Sequence, residues 1–137
     1  MRHRVRTSKL SRPKSARESM IISQAKTLLK NDKLVTTRAK MKVTVQFVDG
    51  LLAKVVKFDE IKALRYVEKA LKDKEFAGFV VKELKPKFGK RTSGFIRVLK
   101  LENRKGDDAK MALGLLLIEK KDKKSKKKNE NKSNKAK

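Results

Sequence analysis

The chain has 137 residues, room for one compact domain. Lysine and arginine number 40 against 15 acids, a formal net charge of +25, and such a surplus repels itself unless a polyanion neutralises it. With no cysteine, disulfide scaffolds, Cys-ligated zinc and thiol catalysis are excluded, and no apolar run approaches the length of a membrane span.

Residues 1–17 carry five arginines, two lysines, three serines and no acid. That is the composition of an organelle transit peptide, but beyond Met1 only Val5, Leu10 and Ala16 are apolar and Pro13 interrupts, so no amphipathic helical face can form. The segment is read instead as an RNA-threading arm, disordered in isolation because it cannot bury enough apolar surface to offset ordering. Its candidate contacts are Arg2, His3, Arg4, Arg6, Lys9, Arg12, Lys14 and Arg17. Arginine supplies planar, bidentate donors for phosphate and base edges. His3 is the sole histidine, with no acid partner beside it and no second metal ligand. A nucleic-acid contact or plain solvation fits it better than catalysis.

The core, residues 18–118, follows. Ser15-Ala16-Arg17-Glu18 has the spacing of a capping box. Ile21, Ile22, Ala25, Leu28 and Leu29 then recur at helical spacing, and Asn31 is a plausible left-handed stop. Lys33 to Thr36 suits a short strand, after which Thr36 or Thr37 can cap a second helix. In that segment Met41, Val43, Val45 and Phe47 alternate as a strand would. The helical stripe Met41, Val45, Val48, Leu52, Val55 is longer, which favours helix despite Gly50.

Asp59 can cap a third helix with Ile61, Leu64, Val67 and Leu71 inward. Asp73 can cap a fourth with Phe76, Phe79, Val80 and Leu84 inward, blocked by Pro86. Phe95 to Leu101 alternates as a strand, residues 103–108 are turn chemistry, and Met111 to Ile118 is apolar on both phases. The last segment suits a strand buried on both sides or a central strand. The order α-β-α-α-α-β-β predicts an α+β fold, a two-layer α/β domain with a small sheet on a helical layer. Residues 119–137, with ten lysines against three acids, form a low-complexity, Lys-rich tail read as disordered.

Within the core, two segments point to phosphate. Lys87-Phe88-Gly89-Lys90-Arg91-Thr92-Ser93-Gly94 is basic and glycine-bracketed, with Arg97 just beyond. Exposed amides and cations there suit phosphate contact, although an ordinary loop before a strand would look similar. Thr36-Thr37, followed by Arg38 and Lys40, marks a helix N-terminus, itself an anion-favouring position. Arg104 and Lys105 add cations to the last turn, where Asp107-Asp108 reads as turn-forming and pairing rather than metal-binding. No P-loop, dinucleotide fingerprint, zinc-finger spacing or RNP aromatic signature occurs, and the aromatics fall mostly on inward phases.

Taken in order, certain segments resemble a family. They are Met1-Arg-His-Arg4, Lys9-Leu-Ser-Arg12, Ala16-Arg17, Thr36-Thr37 with Lys40, Phe88-Gly-Lys-Arg-Thr-Ser-Gly-Phe-Ile-Arg-Val-Leu-Lys100, and Arg104-Lys-Gly-Asp-Asp-Ala-Lys-Met-Ala112. The set is similar to the bacterial large-subunit ribosomal protein family L-seventeen from Met1 to about Leu117. Departures are Ala16 where that family has histidine, Ser93 for the first of paired glycines, and Ile96 for threonine.

The resemblance implies the same element order and a helix for the second segment. It implies contact with large-subunit ribosomal RNA near the exit of the nascent-peptide tunnel, beside neighbouring ribosomal proteins. It carries RNA contact onto Arg2, His3, Arg4, Arg12, Arg17, Thr36, Thr37, Lys40, Arg91, Arg97 and Arg104. Lys87, Lys90 and Lys105 join them from charge and position. The expected protein is a structural component of cytoplasmic ribosomes and not an enzyme, with no cofactor, metal, membrane or small-molecule substrate. The alternatives are a nucleoid-type DNA-binding protein, for which no compelling helix-turn-helix pattern appears, and an RNA-processing nuclease, for which base and metal cluster are both missing.

Overall fold

A computed structural model describes residues 8–88 and 91–118 of the chain. Four helices, α1 (Lys14–Asn31), α2 (Arg38–Lys57), α3 (Glu60–Leu71) and α4 (Lys74–Phe79), pack with strands β1 (Lys33–Thr37), β2 (Ile96–Lys100) and β3 (Met111–Leu116). The fold is α+β in the expected element order. The sheet runs β1-β3-β2, and both pairings are antiparallel.

The expected capping box does not form. α1 starts at Lys14 with Pro13 in the cap position and no side-chain cap bond, so Ser15 is already helical. Proline suits that place because its φ is preset and the first helical amides have no intrahelical partner anyway. The Pro13 carbonyl takes the Arg17 amide at 3.0 Å. Residues 14–17, read as the end of the arm, therefore belong to the first helix. Before it, a turn joins the Arg12 amide to the Lys9 carbonyl, with Leu10 and Ser11 at positive φ. The left-handed stop falls at Asp32 (φ 60) and not Asn31, the last helical residue. Short polar side chains tolerate that conformation better than bulkier ones.

α2 is a helix throughout, because its core stripe outlasts the alternation. Met41, Thr44, Val48, Leu51, Leu52 and Val55 are buried. In α3 the inward set is Ala63, Val67 and Leu71, one helical turn apart, with Leu64 packed beside them. Ile61 was expected inward but lies two residues from Ala63, on the far side of the helix, and is 67% exposed. Asp73 caps α4 through its carboxylate, which accepts the Phe76 amide at 3.0 Å. Asp59 holds the cap position of α3 without a side-chain bond. Beyond Phe79 the helix widens into a π turn, Val80–Leu84, and tightens into a 3-10 turn, Lys85–Phe88, that contains Pro86. The chain thus continues past the point where proline forbids regular α-helix.

β3 is central, as one of the two readings required. Ala112, Gly114 and Leu116 face the helices and are buried, while Met111, Leu113 and Leu115 on the other face are half-buried. A Cβ on Gly114 would lie 2.8 Å from Met41 Sδ, so glycine lets α2 settle onto the strand. β2 alternates in sequence but not in burial. Only Ile96 is buried; Val98 and Leu99 are 44% and 43% exposed at the sheet edge. The core is completed by Phe88 and Phe95, fully buried and edge-to-face at 5.0 Å.

A partly buried polar relay ties the layers together. Thr44 on α2 donates to Gln24 Oε1 on α1 at 2.7 Å, and Gln24 Nε2 donates to Thr36 Oγ1 on β1 at 3.3 Å. Thr44 is fully buried, and no buried side-chain polar atom among the described residues lacks a partner.

Candidate nucleic-acid interface

The sheet brings cations from distant segments to one end. The register sets Thr37 opposite Met111, and the Arg38 amide then donates to the Lys110 carbonyl at 2.8 Å. Thr37 occupies the cap position of α2 with no side-chain cap bond, so its hydroxyl is uncommitted to the helix. Thr37, Arg38, Ala39, Lys42 and Lys110 line a shallow concavity at this N-terminus. Amides of a first helical turn with aligned dipoles favour an anion there. Lys40 lies half-buried on the same turn.

The turn after β2 opens at this same end. Arg104 pairs with Asp107, its guanidinium donating through Nε at 2.9 Å, and its amide donates to the Ala109 carbonyl. The pair holds the Asp107 carboxyl down at about 2. Lys105 beside it is exposed. α1 runs antiparallel to this direction, since its C-terminal Asp32 takes the Leu116 amide at the opposite end of the sheet. Lys14 and Arg17, with the Lys9–Arg12 turn before them, therefore point back towards the α2 N-terminus. Arg12 donates to the Leu10 carbonyl within its turn.

The second basic segment sits at the other end of the sheet. Lys87 is exposed on the 3-10 turn whose Phe88 is buried. The Arg91 amide donates to the Phe88 carbonyl, and its guanidinium donates to the Gly94 carbonyl at 3.1 Å. Asp49 on α2 accepts the Phe95 amide at 3.0 Å and anchors the segment. Burial pushes the Asp49 carboxyl above its ordinary value, against the pull of the Phe95 and Ile96 amides. Arg97 is exposed on β2, opposite Leu115 and so on the outer sheet face.

The expected sites thus fall into two groups at opposite ends of the sheet. Thr36 stands apart: it is 9% exposed, on the inner face, with its hydroxyl accepting from Gln24. Arg2, His3, Arg4, Arg6 and Lys90 lie outside the described residues, as do Gly89 and the 119–137 tail. Lys42 and Lys110 were missed. One helical turn beyond Arg38 is a legible signal for Lys42, but only the strand register brings in Lys110.

Joining the ends is the exposed stripe of α2: Arg38, Lys42, Gln46, Gly50, Lys54. It carries no acid. Lys54 stands 5.1 Å from the centre of the Tyr66 ring. Only two ion pairs occur among the described residues, Lys26–Asp73 and Arg104–Asp107. The cations of the α2 N-terminus, and Lys87, Arg91 and Arg97, have no acidic partner among the described residues.

An α+β domain with only two ion pairs among its described residues and a net charge of +25 over the whole chain is a strongly basic protein. No group of three or more potential metal ligands occurs among the described residues, and no described helix is long and apolar enough to cross a membrane. The family model for ribosomal protein L17 matches residues 20–116. A large ribosomal subunit protein bL17 from Sulfurihydrogenibium sp. is 41% identical over 114 residues, covering 82% of this chain and 93% of the relative. The bL17 of Campylobacter concisus is 36% identical over 119 residues, covering 87% of this chain and all of the relative. The bL17 of Amoebophilus asiaticus is 38% identical over 113 residues, where the match spans 82% of this chain but only 58% of the longer relative. The chain belongs to the ribosomal protein L17 family of the large subunit, a family of structural proteins and not of enzymes.

Proposed function

We propose that this protein binds and stabilises folded large-subunit ribosomal RNA on cytoplasmic ribosomes, supporting subunit assembly and translation. The observation that carries the reading is the set of cations at the two ends of the sheet, of which only Arg104 has an acidic partner among the described residues. Neutralising phosphates releases condensed counterions, a driving force that such a surface is built to use. The arm, with Arg2, His3, Arg4, Arg6, Lys9 and Arg12, enters crevices of the RNA. Arg17, Thr37, Lys40, Arg104 and Lys105 contact it at the α2 N-terminus, and Lys87, Lys90, Arg91 and Arg97 at the far end. Recognition is of shape, through phosphate and 2′-hydroxyl groups. Placement near the nascent-peptide tunnel exit, beside neighbouring ribosomal proteins, rests on the family resemblance.

Gradient sedimentation of a cell lysate at moderate and high salt tests the reading. Stoichiometric co-migration with the large subunit through the salt wash is expected. Sedimentation with the chromosome, or as free protein, would overturn it.

A further inference from the structure

Gly50 is a glycine that the fold does not need. It sits in the regular interior of α2, where glycine is destabilising relative to alanine. Its φ is not positive, and apart from its chain neighbours and the backbone of its own helix nothing lies within 4 Å of where a Cβ would be. Gly114 is different, because Met41 occupies the space a side chain would take. Gly78 is equally bare, but it adjoins the widening of the helix at Val80 and stands among charges of both signs, Glu75, Lys82 and Glu83. Gly50 lies instead on the acid-free stripe Arg38–Lys42–Gln46–Gly50–Lys54, about 18 Å along the axis from Arg38 at the helical rise.

A second bare glycine is brought beside it. Asp49 holds the Phe95 amide at 3.0 Å, so Gly94 and the Arg91 that donates to its carbonyl are fixed at the turn of α2 that carries Gly50. Gly94, whose φ of +65 already calls for glycine, likewise has nothing beyond its chain neighbours within 4 Å of its would-be Cβ. Two exposed glycines therefore stand on segments joined through the Asp49–Phe95 bond, with Lys87 and Arg91 on the Gly94 side and the Arg38, Lys42 and Lys110 group further along α2.

We propose that a ribose–phosphate strand crosses α2 between these two groups, with Gly50 as its point of closest approach. The inference rests on the RNA-binding reading above and names a contact surface for it. The helix backbone at Gly50 offers no free hydrogen-bonding group, so the gain there is proximity. With no side chain in the way, a ribose lies against the helix and its flanking phosphates come within reach of Lys42, Arg91 and Lys87. A side chain at position 50 lifts the strand away from both groups at once.

The test is filter binding of the full-length protein to transcribed large-subunit ribosomal RNA at fixed salt, with duplex DNA as competitor, for wild type, Gly50→Ala, Gly50→Gln and Gly50→Lys. Thermal melting of each variant runs alongside. Gly50→Ala should raise Tm by about 2–6 °C. Gly50→Gln and Gly50→Lys should remain folded yet bind the RNA roughly tenfold more weakly, a loss of about 1.4 kcal/mol. Gly50→Lys is decisive, because a merely electrostatic surface would gain affinity from the added charge. Unchanged or tighter binding by Gly50→Lys, with wild type binding selectively, overturns the inference and leaves the RNA reading standing. Wild type preferring duplex DNA overturns both.

Discussion

Asp49 and Phe95 are 46 residues apart in sequence, and the carboxylate of one accepts the backbone amide of the other at 3.0 Å. The bond fixes where the basic segment enters β2. Asparagine retains an oxygen acceptor there and avoids the cost of a partly buried charge. The folded carboxyl value is raised, so ionisation costs stability as pH rises through that range, and Asp49→Asn removes this cost at neutral pH. Asp49→Asn is therefore expected to be at least as stable as wild type at pH 7. Asp49→Ala strands the amide and should cost about 1–3 kcal/mol. Urea denaturation of both variants checks this; an Asp49→Ala variant as stable as wild type would mean that the bond is dispensable.

Gly114 leaves no room beneath Met41. A valine at position 114 must displace a methionine side chain that is 1% exposed. Gly114→Val is expected to lower stability by about 1–3 kcal/mol, read from the urea midpoint. The double variant with Met41→Ala should recover part of that loss, since the clash disappears.

Lys26 donates to Asp73 at 2.7 Å, the largest influence holding the Asp73 carboxyl below its usual 3.8. A lowered folded value gives stability that is present above the unfolded value and lost as pH falls through the folded one. Lys26→Met should melt below wild type at pH 7, and the gap should close as pH drops below the ordinary carboxylate range. A gap that persisted in acid would point to packing against Phe76, whose ring centre lies 5.9 Å from the ammonium.

Arg38, Lys42 and Lys110 converge by register and helical spacing. Replacing all three with alanine should flatten the dependence of log affinity for ribosomal RNA on log salt by about 2, at roughly 0.7 per lost phosphate contact. Filter binding across a salt series measures it. Helix and strand content by circular dichroism should not change, because Arg38, Lys42 and Lys110 are exposed.

Neutralising Arg2, Arg4, Arg6 and Arg12 together should reduce incorporation into the large subunit while the core melts as in wild type. Deleting residues 120–137 should leave incorporation nearly intact. Subunit profiles on gradients read both. Collapse of the circular dichroism signal in the first variant would make the arm part of the fold.

Much of this architecture could be read from apolar spacing, because periodicity survives without tertiary information. α2 declared itself by length, and Asp73 by its cap position. Helix starts were less legible: Ser15 has the chemistry of a cap, but Pro13 takes the position with no hydrogen bond to announce it. Ile61 shows the limit of a stripe drawn through a short helix, where a shift of two residues exchanges inside for outside. Thr36 and Thr37 are indistinguishable as neighbours in sequence, yet strand alternation buries one and leaves the other at the helix mouth. The Lys87–Arg97 cluster is local and could be read directly. The convergence of Lys110 on Arg38 needs the sheet, and no linear pattern contains it.

The sheet order β1-β3-β2 also sets a timetable. β1 and β2 are not paired with each other; each is bonded only to β3, which follows both in the chain. During synthesis the first two strands emerge with nothing to pair with, and Met41 waits without the strand it covers. The basic helix mouth at Arg38 is likewise unfinished until Lys110 arrives to take its amide. A nascent copy therefore cannot complete this basic surface while half made, and its maturation is tied to translation of β3.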